Sequence, residues 1–339
     1  MAAPASSTSS LLLVLVILLA AALISHSSAN AWPASSSGSG GGGGGLSAGF
    51  YDETCPSAQD VVRRVIQDAR VADPRIPASL IRLHFHDCFV NGCDASILLD
   101  EDLPSGIHTE KRVPANDNSA RGFDVVDDIK CELDKACPGV VSCADILAIA
   151  AQVSVDLVGV NLFIEHLAGG PRWRVQLGRR DATATNIPSA DNLPGFTDTL
   201  EDLVAKFDAV GLDHGDLVAL QGAHTFGRAQ CLFTRENCTA GQPDDALENL
   251  DPVTPDVFDN NYYGSLLRGT AKLPSDQVML SDDPYAAATT APFVRRFAGS
   301  QKSFFRSFAA SMIKMGNISP LTGMDGQIRQ NCRRINTYY

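Results

Sequence analysis

The stretch Arg82-Leu83-His84-Phe85-His86-Asp87-Cys88-Phe89-Val90-Asn91-Gly92-Cys93-Asp94-Ala95-Ser96 organises the reading of the whole chain. Its first half has helical spacing, so Arg82 and His86, at i and i+4, share one face. A fixed cation and an imidazole therefore point into one space. Its second half offers Asp87, Asp94, the Ser96 hydroxyl and the backbone carbonyls of Val90 and Gly92, hard oxygens of the kind calcium takes. The spacing is not that of an EF-hand. A disulfide between Cys88 and Cys93 would close this short loop and hold the oxygens in place. His84 faces elsewhere on the helix and is assigned to packing.

An imidazole beside a guanidinium suits cleavage of an O–O bond. A neutral His86 takes a proton from one oxygen and delivers it to the other, while Arg82 stabilises the departing charge. The nearby positive charge is expected to keep His86 neutral by lowering its pKa.

Outward from this stretch the pattern is mostly helical. Apolar residues recur at spacings of three and four over 60–71, 77–89, 120–135, 142–157, 197–210 and 213–221, and strand-like alternation is scarce. Asp213, with Asp216 three residues on, reads as an N-cap that starts the helix leading to His224. His224 stands seven residues after Leu217 and would extend its apolar face, so a core histidine is the plain reading of spacing alone. Pro/Gly-rich stretches over 169–174 and 187–195 suggest a break between two halves.

The chain has 339 residues, 45% of them hydrophobic, enough for a sizeable core in one large or two smaller domains. Lys plus Arg number 27 against 39 Asp plus Glu, and the net charge of −12 disfavours nucleic acid and anionic membranes as partners. Residues 11–24 form an apolar run, followed by an A-x-A site at Ala29-Asn30-Ala31, which reads as a secretory signal over 1–31 with no membrane association after cleavage. A Gly/Ser-rich linker over 32–45 follows, and the fold begins near Leu46. The chain has 9 cysteines and no CxxC pair, so disulfides in an oxidising compartment are favoured over thiolate metal sites. Sequons at Asn237 and Asn317 fit an extracellular chain.

The quoted stretch closely resembles the distal block of the class III secretory plant peroxidases. The similarity continues through Phe50-Tyr51-Asp52-Glu53-Thr54-Cys55-Pro56, Glu110-Lys111, Asn116 to Phe123, Cys137 to Asp145, and Gly222-Ala223-His224-Thr225-Phe226-Gly227. The resemblance implies a mostly α-helical, two-domain fold, with b-type haem between a distal half over 46–190 and a proximal half over 191–339. It implies reduction of hydrogen peroxide and one-electron oxidation of small phenolic or other aromatic donors by a secreted monomer, extracellular or in the cell wall. Arg82, His86 and Asn116 would be catalytic, with Asn116 fixing the tautomer of His86 and Phe85 completing the distal pocket. His224 would be the axial iron ligand, with Asp276 on its other ring nitrogen.

By the same resemblance, Asp87, Val90, Gly92, Asp94 and Ser96 would hold one calcium, reached by Glu110 through water. Thr225, Asp251, Thr254, Val257 and Asp259 would hold a second. The Pro194 carbonyl would meet aromatic donors, and Asp145 with Arg179 would form a structural ion pair. The implied disulfides are Cys55 with Cys137, Cys88 with Cys93, Cys143 with Cys332, and Cys231 with Cys238. Cys131 is left over and expected to be a free, buried thiol.

The chain departs from this family in two places. Between Cys231 and Cys238 the family usually carries a much longer excursion, so part of the substrate-channel rim is missing. Between Val155 and Gly169 the chain is longer and carries the apolar run 160–164. These departures frame a rival reading, a calcium-stiffened extracellular protein that has lost turnover. A zinc hydrolase on His84, His86 and Cys88 fails for lack of a spacing such as HExxH.

Overall fold

A central helix buried along almost its whole length organises the first part of the fold. The computed structural model describes residues 45–159, 170–191, 193–236, 238 and 241–337. The expected signal, the expected linker up to its last residue, the apolar run 160–164 and the sequon residue Asn237 lie outside the described residues. In chain order, the longer helices of this part are α1 (Ala58–Ala72), α2 (Ile76–Cys88), α3 (Phe123–Ala136) and α4 (Cys143–Val158). Helix α4 is buried from Cys143 through Leu157, and its polar Asp145, Gln152 and Asp156 are met by Tyr51, Gln59 and Arg63. The Ser142 hydroxyl caps it by accepting from the Asp145 N–H. Helices α1, α2 and α3 each lay an apolar stripe against it, with Val62, Ile66, Leu80, Val126 and Ile129 fully buried. Burying each such side chain contributes about 1.5–3 kcal/mol.

The second part contains α5 (Leu200–Ala209), α6 (His214–Gln221), α7 (Asn261–Arg268), α8 (Ala291–Ala298) and α9 (Gln301–Gly316). Asp213 caps α6 through a reciprocal box with Asp216, and Thr199 with Asp202 does the same for α5. Helix α9 packs on α6 and α8 and reaches across to α2. Phe258, Tyr263, Phe297, Phe304 and Phe308 form its aromatic core. The sequence-based expectations place no helix over α7, α8 or α9. Strands β1 (Arg228–Gln230) and β2 (Leu247–Asn249) pair antiparallel, Arg228 with Asn249 and Gln230 with Leu247.

Four disulfides join Cys55 to Cys137, Cys88 to Cys93, Cys143 to Cys332 and Cys231 to Cys238. Cys143 and Cys332 are 189 residues apart in sequence, so this bond pins the C-terminal segment to the start of α4. Cys131 is free but exposed, which corrects the expectation of a buried thiol. The buried stripe of α3 runs through Val126, Ile129 and Leu133, and Cys131 falls on the other side of the helix.

Candidate functional site

On α2 the Arg82 Nε donates to Nε2 of His86 at 3.1 Å. The guanidinium is held by the carbonyls of Ser119 and Ala115, each at 2.8 Å. The loop that anchors Arg82 also supplies Asn116, whose Nδ2 donates to the Glu110 carbonyl at 2.9 Å. That bond turns the amide oxygen toward His86, whose Nδ1–H donates to it at 2.5 Å. With the proton on Nδ1, Nε2 keeps its lone pair, the state a general base needs. His86 is 5% exposed, and its pKa lies well below the ordinary value. Burial is the larger cause and the Arg82 charge the second, with Asn116 opposing. Thus burial does more to keep His86 neutral than the neighbouring charge. Phe85 packs edge-on to His86, with ring centroids 5.2 Å apart.

His84 is buried with Nδ1 3.6 Å from Cys88 Sγ, and burial with the Arg179 charge lowers its pKa to about 3. His84, Cys88 and Cys93 converge closely enough for a metal, but both sulfurs are committed to a disulfide and are not thiolates.

Asp87 in the last turn of α2, Asp94 and Ser96 in the loop beyond it, and Glu110 further on are almost wholly buried together. Asp87 Oδ1, Ser96 Oγ and Glu110 Oε2 have no hydrogen-bond partner among the described residues. Burial, then the Asp94 charge, pushes Asp87 well above the usual carboxylate range, and burial raises Glu110 to about 7. Converging hard oxygens without donors are what a divalent cation satisfies, so this set fits calcium. Gly92 has φ +107, and a Cβ there would stand 2.3 Å from the Ser319 carbonyl, so only glycine lets the loop pass.

After Gln221 the helix tightens into a 3-10 turn, Gly222–Thr225, which carries His224. The plain reading of His224 as a core histidine on the face of Leu217 does not hold, since its side chain is 33% exposed where Leu217 is 1% exposed. Gly222 is forced here: a Cβ would stand 2.2 Å from the Tyr263 hydroxyl. His224 Nδ1–H donates to Asp276 Oδ1 at 2.8 Å. Its Nε2 has no hydrogen-bond partner among the described residues, and the side chain is 33% exposed. An imidazole oriented by a buried carboxylate, with its other nitrogen open, fits an axial haem ligand.

Thr225 follows directly, and its Oγ1 donates to Asp259 Oδ1 at 3.0 Å. Thr254 Oγ1 lies 3.1 Å from Asp251 Oδ2 and 2.7 Å from Asp259 Oδ2. One hydroxyl proton cannot serve both carboxylates, so this second set also fits a cation. Val257 stands in the same loop, exposed, with its N–H on the Thr254 carbonyl. Pro194 is half-buried in the loop before α5, which Lys206 fastens by donating to the Leu193 carbonyl at 3.1 Å. Asp145 and Arg179 are 2.8 Å apart and buried.

Sequence reasoning missed two residues here. Arg329 lies fully buried beside the distal acids, donating to the Ala95 carbonyl at 2.6 Å. Tyr262 donates its hydroxyl to Asp276 Oδ1 at 2.9 Å. Neither carries a local signal, since a lone arginine and one tyrosine of a pair read as surface and core.

A helical fold with one buried histidine held neutral beside a guanidinium, and a second oriented by a carboxylate with its other nitrogen open, fits a haem-dependent oxidoreductase. The profile of the family described as Peroxidase matches residues 59–300. Peroxidase 2 of Cucumis sativus is 50% identical over 307 residues, covering 85% of this chain and 100% of that protein. Peroxidase 54 of Arabidopsis thaliana is 48% identical, covering 86% of this chain and 84% of that protein. Peroxidase C2 of Armoracia rusticana is 46% identical, covering 86% and 88%. The chain belongs to the peroxidase family, among the class III plant peroxidases. Membership makes it a haem peroxidase that consumes hydrogen peroxide and an oxidisable donor.

Proposed function

We propose that this chain is a secreted, monomeric peroxidase of the extracellular space or cell wall, carrying b-type haem between a distal half (46–190) and a proximal half (191–339). It reduces hydrogen peroxide and oxidises small phenolic or other aromatic donors near Pro194. Among the described residues no helix is long and apolar enough to cross a membrane. The observation that carries the reading is the His86 ring, with Nδ1 bonded to Asn116 and Nε2 facing Arg82.

Haem iron, when bound through His224, supplies the two-electron reduction of peroxide and the single-electron steps that follow. His86 Nε2 takes the proton from one peroxide oxygen and returns it to the other, making water the leaving group. Arg82, whose pKa burial lowers only to about 10, stays charged and stabilises the developing negative charge. Asn116 keeps Nδ1 protonated throughout. Asp276 orients His224 and strengthens it as a donor. One calcium would be held by Asp87, Val90, Gly92, Asp94 and Ser96, with Glu110 through water. The other would be held by Thr225, Asp251, Thr254, Val257 and Asp259. Both sites adjoin a histidine-bearing turn, so each cation would stiffen the backbone that aims an imidazole.

The test is an absorption spectrum of the purified protein before and after peroxide, repeated with His86→Ala and His224→Ala. Loss of bound haem in the His224 variant alone is expected. Haem retention with peroxide reaction slowed roughly 10²–10⁴-fold is expected for His86→Ala. A His86 variant that reacts at the unaltered rate would remove the proposal.

A further inference from the structure

We propose that Tyr262 is a positioning residue for the proximal imidazole: its hydroxyl occupies part of Asp276 and so limits how strongly that carboxylate pulls on His224. The inference rests on the reading of His224 as the iron ligand.

Three donors meet on the same oxygen, Asp276 Oδ1. They are His224 Nδ1–H at 2.8 Å, Tyr262 O–H at 2.9 Å and Gln221 Nε2–H at 3.1 Å. A carboxylate oxygen has two lone-pair directions, so the three compete. Asp276 is 1% exposed and Tyr262 2%, so bulk water has little access to dilute that competition. Each added donor withdraws charge from the carboxylate and makes it a poorer acceptor for the His224 proton. The imidazole then keeps more of its N–H bond and donates less to a metal. Tyr262 also meets the His224 ring edge-on, with centroids 6.1 Å apart at 83°, which fixes the plane of the ring.

The adjacent tyrosine supplies the control. Tyr263 is as deeply buried, yet its hydroxyl donates to the Val218 carbonyl at 3.0 Å and leaves Asp276 alone. A scaffold role predicts similar effects for the two; a tuning role separates them.

The experiment compares Tyr262→Phe, Tyr263→Phe, Gln221→Leu and Asp276→Asn in the haem-loaded protein. It reads the iron reduction potential and the iron–imidazole stretching frequency of the reduced form. Tyr262→Phe is expected to shift the potential to a more negative value and raise the frequency. Gln221→Leu, acting on the same oxygen from another element through a longer bond, shifts both in the same direction by less. Asp276→Asn shifts them the opposite way, and Tyr263→Phe leaves them in place. The proposal is overturned if Tyr262→Phe and Gln221→Leu both leave the potential at the parent value, or if Tyr263→Phe matches Tyr262→Phe. An iron–imidazole band that survives His224→Ala would instead remove the reading of His224 itself.

Discussion

The two histidine centres hold the same side chain in opposite environments. His86 is buried, its Nδ1–H meets the neutral amide oxygen of Asn116, and burial holds the ring well below its ordinary pKa. His224 is one-third exposed, and its Nδ1–H meets the buried carboxylate of Asp276. An amide fixes the tautomer without adding charge, leaving a weak base that can take a proton and give it back. A carboxylate adds charge and makes the far nitrogen a stronger donor. The partner on Nδ1 thus suits each Nε2 to its proposed role, base at His86 and ligand at His224.

The sharpest way to break this comparison after the histidines themselves is Arg82→Ala. It removes the fixed charge from the distal side only, and the peroxide step is expected to fall roughly 10²–10³-fold while haem binding is unchanged. Stopped-flow rates against peroxide concentration measure it. Next come the orienting partners. Asn116→Ala should slow the peroxide step, and Asp276→Asn should weaken haem retention, each by about 10–100-fold. Titrating haem away with an acceptor protein alongside the rate assay separates them; the reverse pattern would break the contrast.

Calcium removal is expected to distinguish the two proposed cation sites by stability. The distal set leaves three buried oxygens unpaired, each costing about 1–3 kcal/mol when no ion satisfies it. The proximal carboxylates Asp251 and Asp259 instead share Thr254 Oγ1, and Asp259 also accepts from the Asn261 side-chain amide. A chelator should lower the melting temperature, and Asp87→Asn should blunt that loss more than Asp259→Asn does. Equal blunting would mean that the two sites depend equally on their ions. The smallest effect belongs to Cys131→Ser, expected within about 0.5 kcal/mol because the thiol is exposed and unpaired. Thiol counting in the denatured, unreduced protein should fall from one group to none.

Much of the distal centre was legible because its parts are close in sequence. Arg82 and His86 share a helical face, and Asp87, Asp94 and Ser96 follow within one loop. Helices α1 to α6 were legible as well, since each carries an apolar spacing with a cap or turn signal. Helix α9 carries the same signal in Phe304, Phe308, Ser311, Met312 and Met315, all buried, and that spacing could have placed it. The 3-10 turn that carries His224 was not legible, because neither it nor the close approach of Tyr263 and Phe304 to Gly222 has a signal in the local sequence.

By itself the sequence determined the chemical types present: a cation and an imidazole on one face, hard oxygens in the loop beyond, and enough cysteine for an oxidised fold. Those follow from local spacing, which the geometry of a helix turns directly into proximity. Only the tertiary structure decided which partner each imidazole meets, that burial outweighs Arg82 in holding His86 neutral, and that Arg329 and Tyr262 join the two sites. The reason is that burial and hydrogen-bond partnership depend on segments distant in sequence, here joined by helix packing and by a disulfide spanning 189 residues.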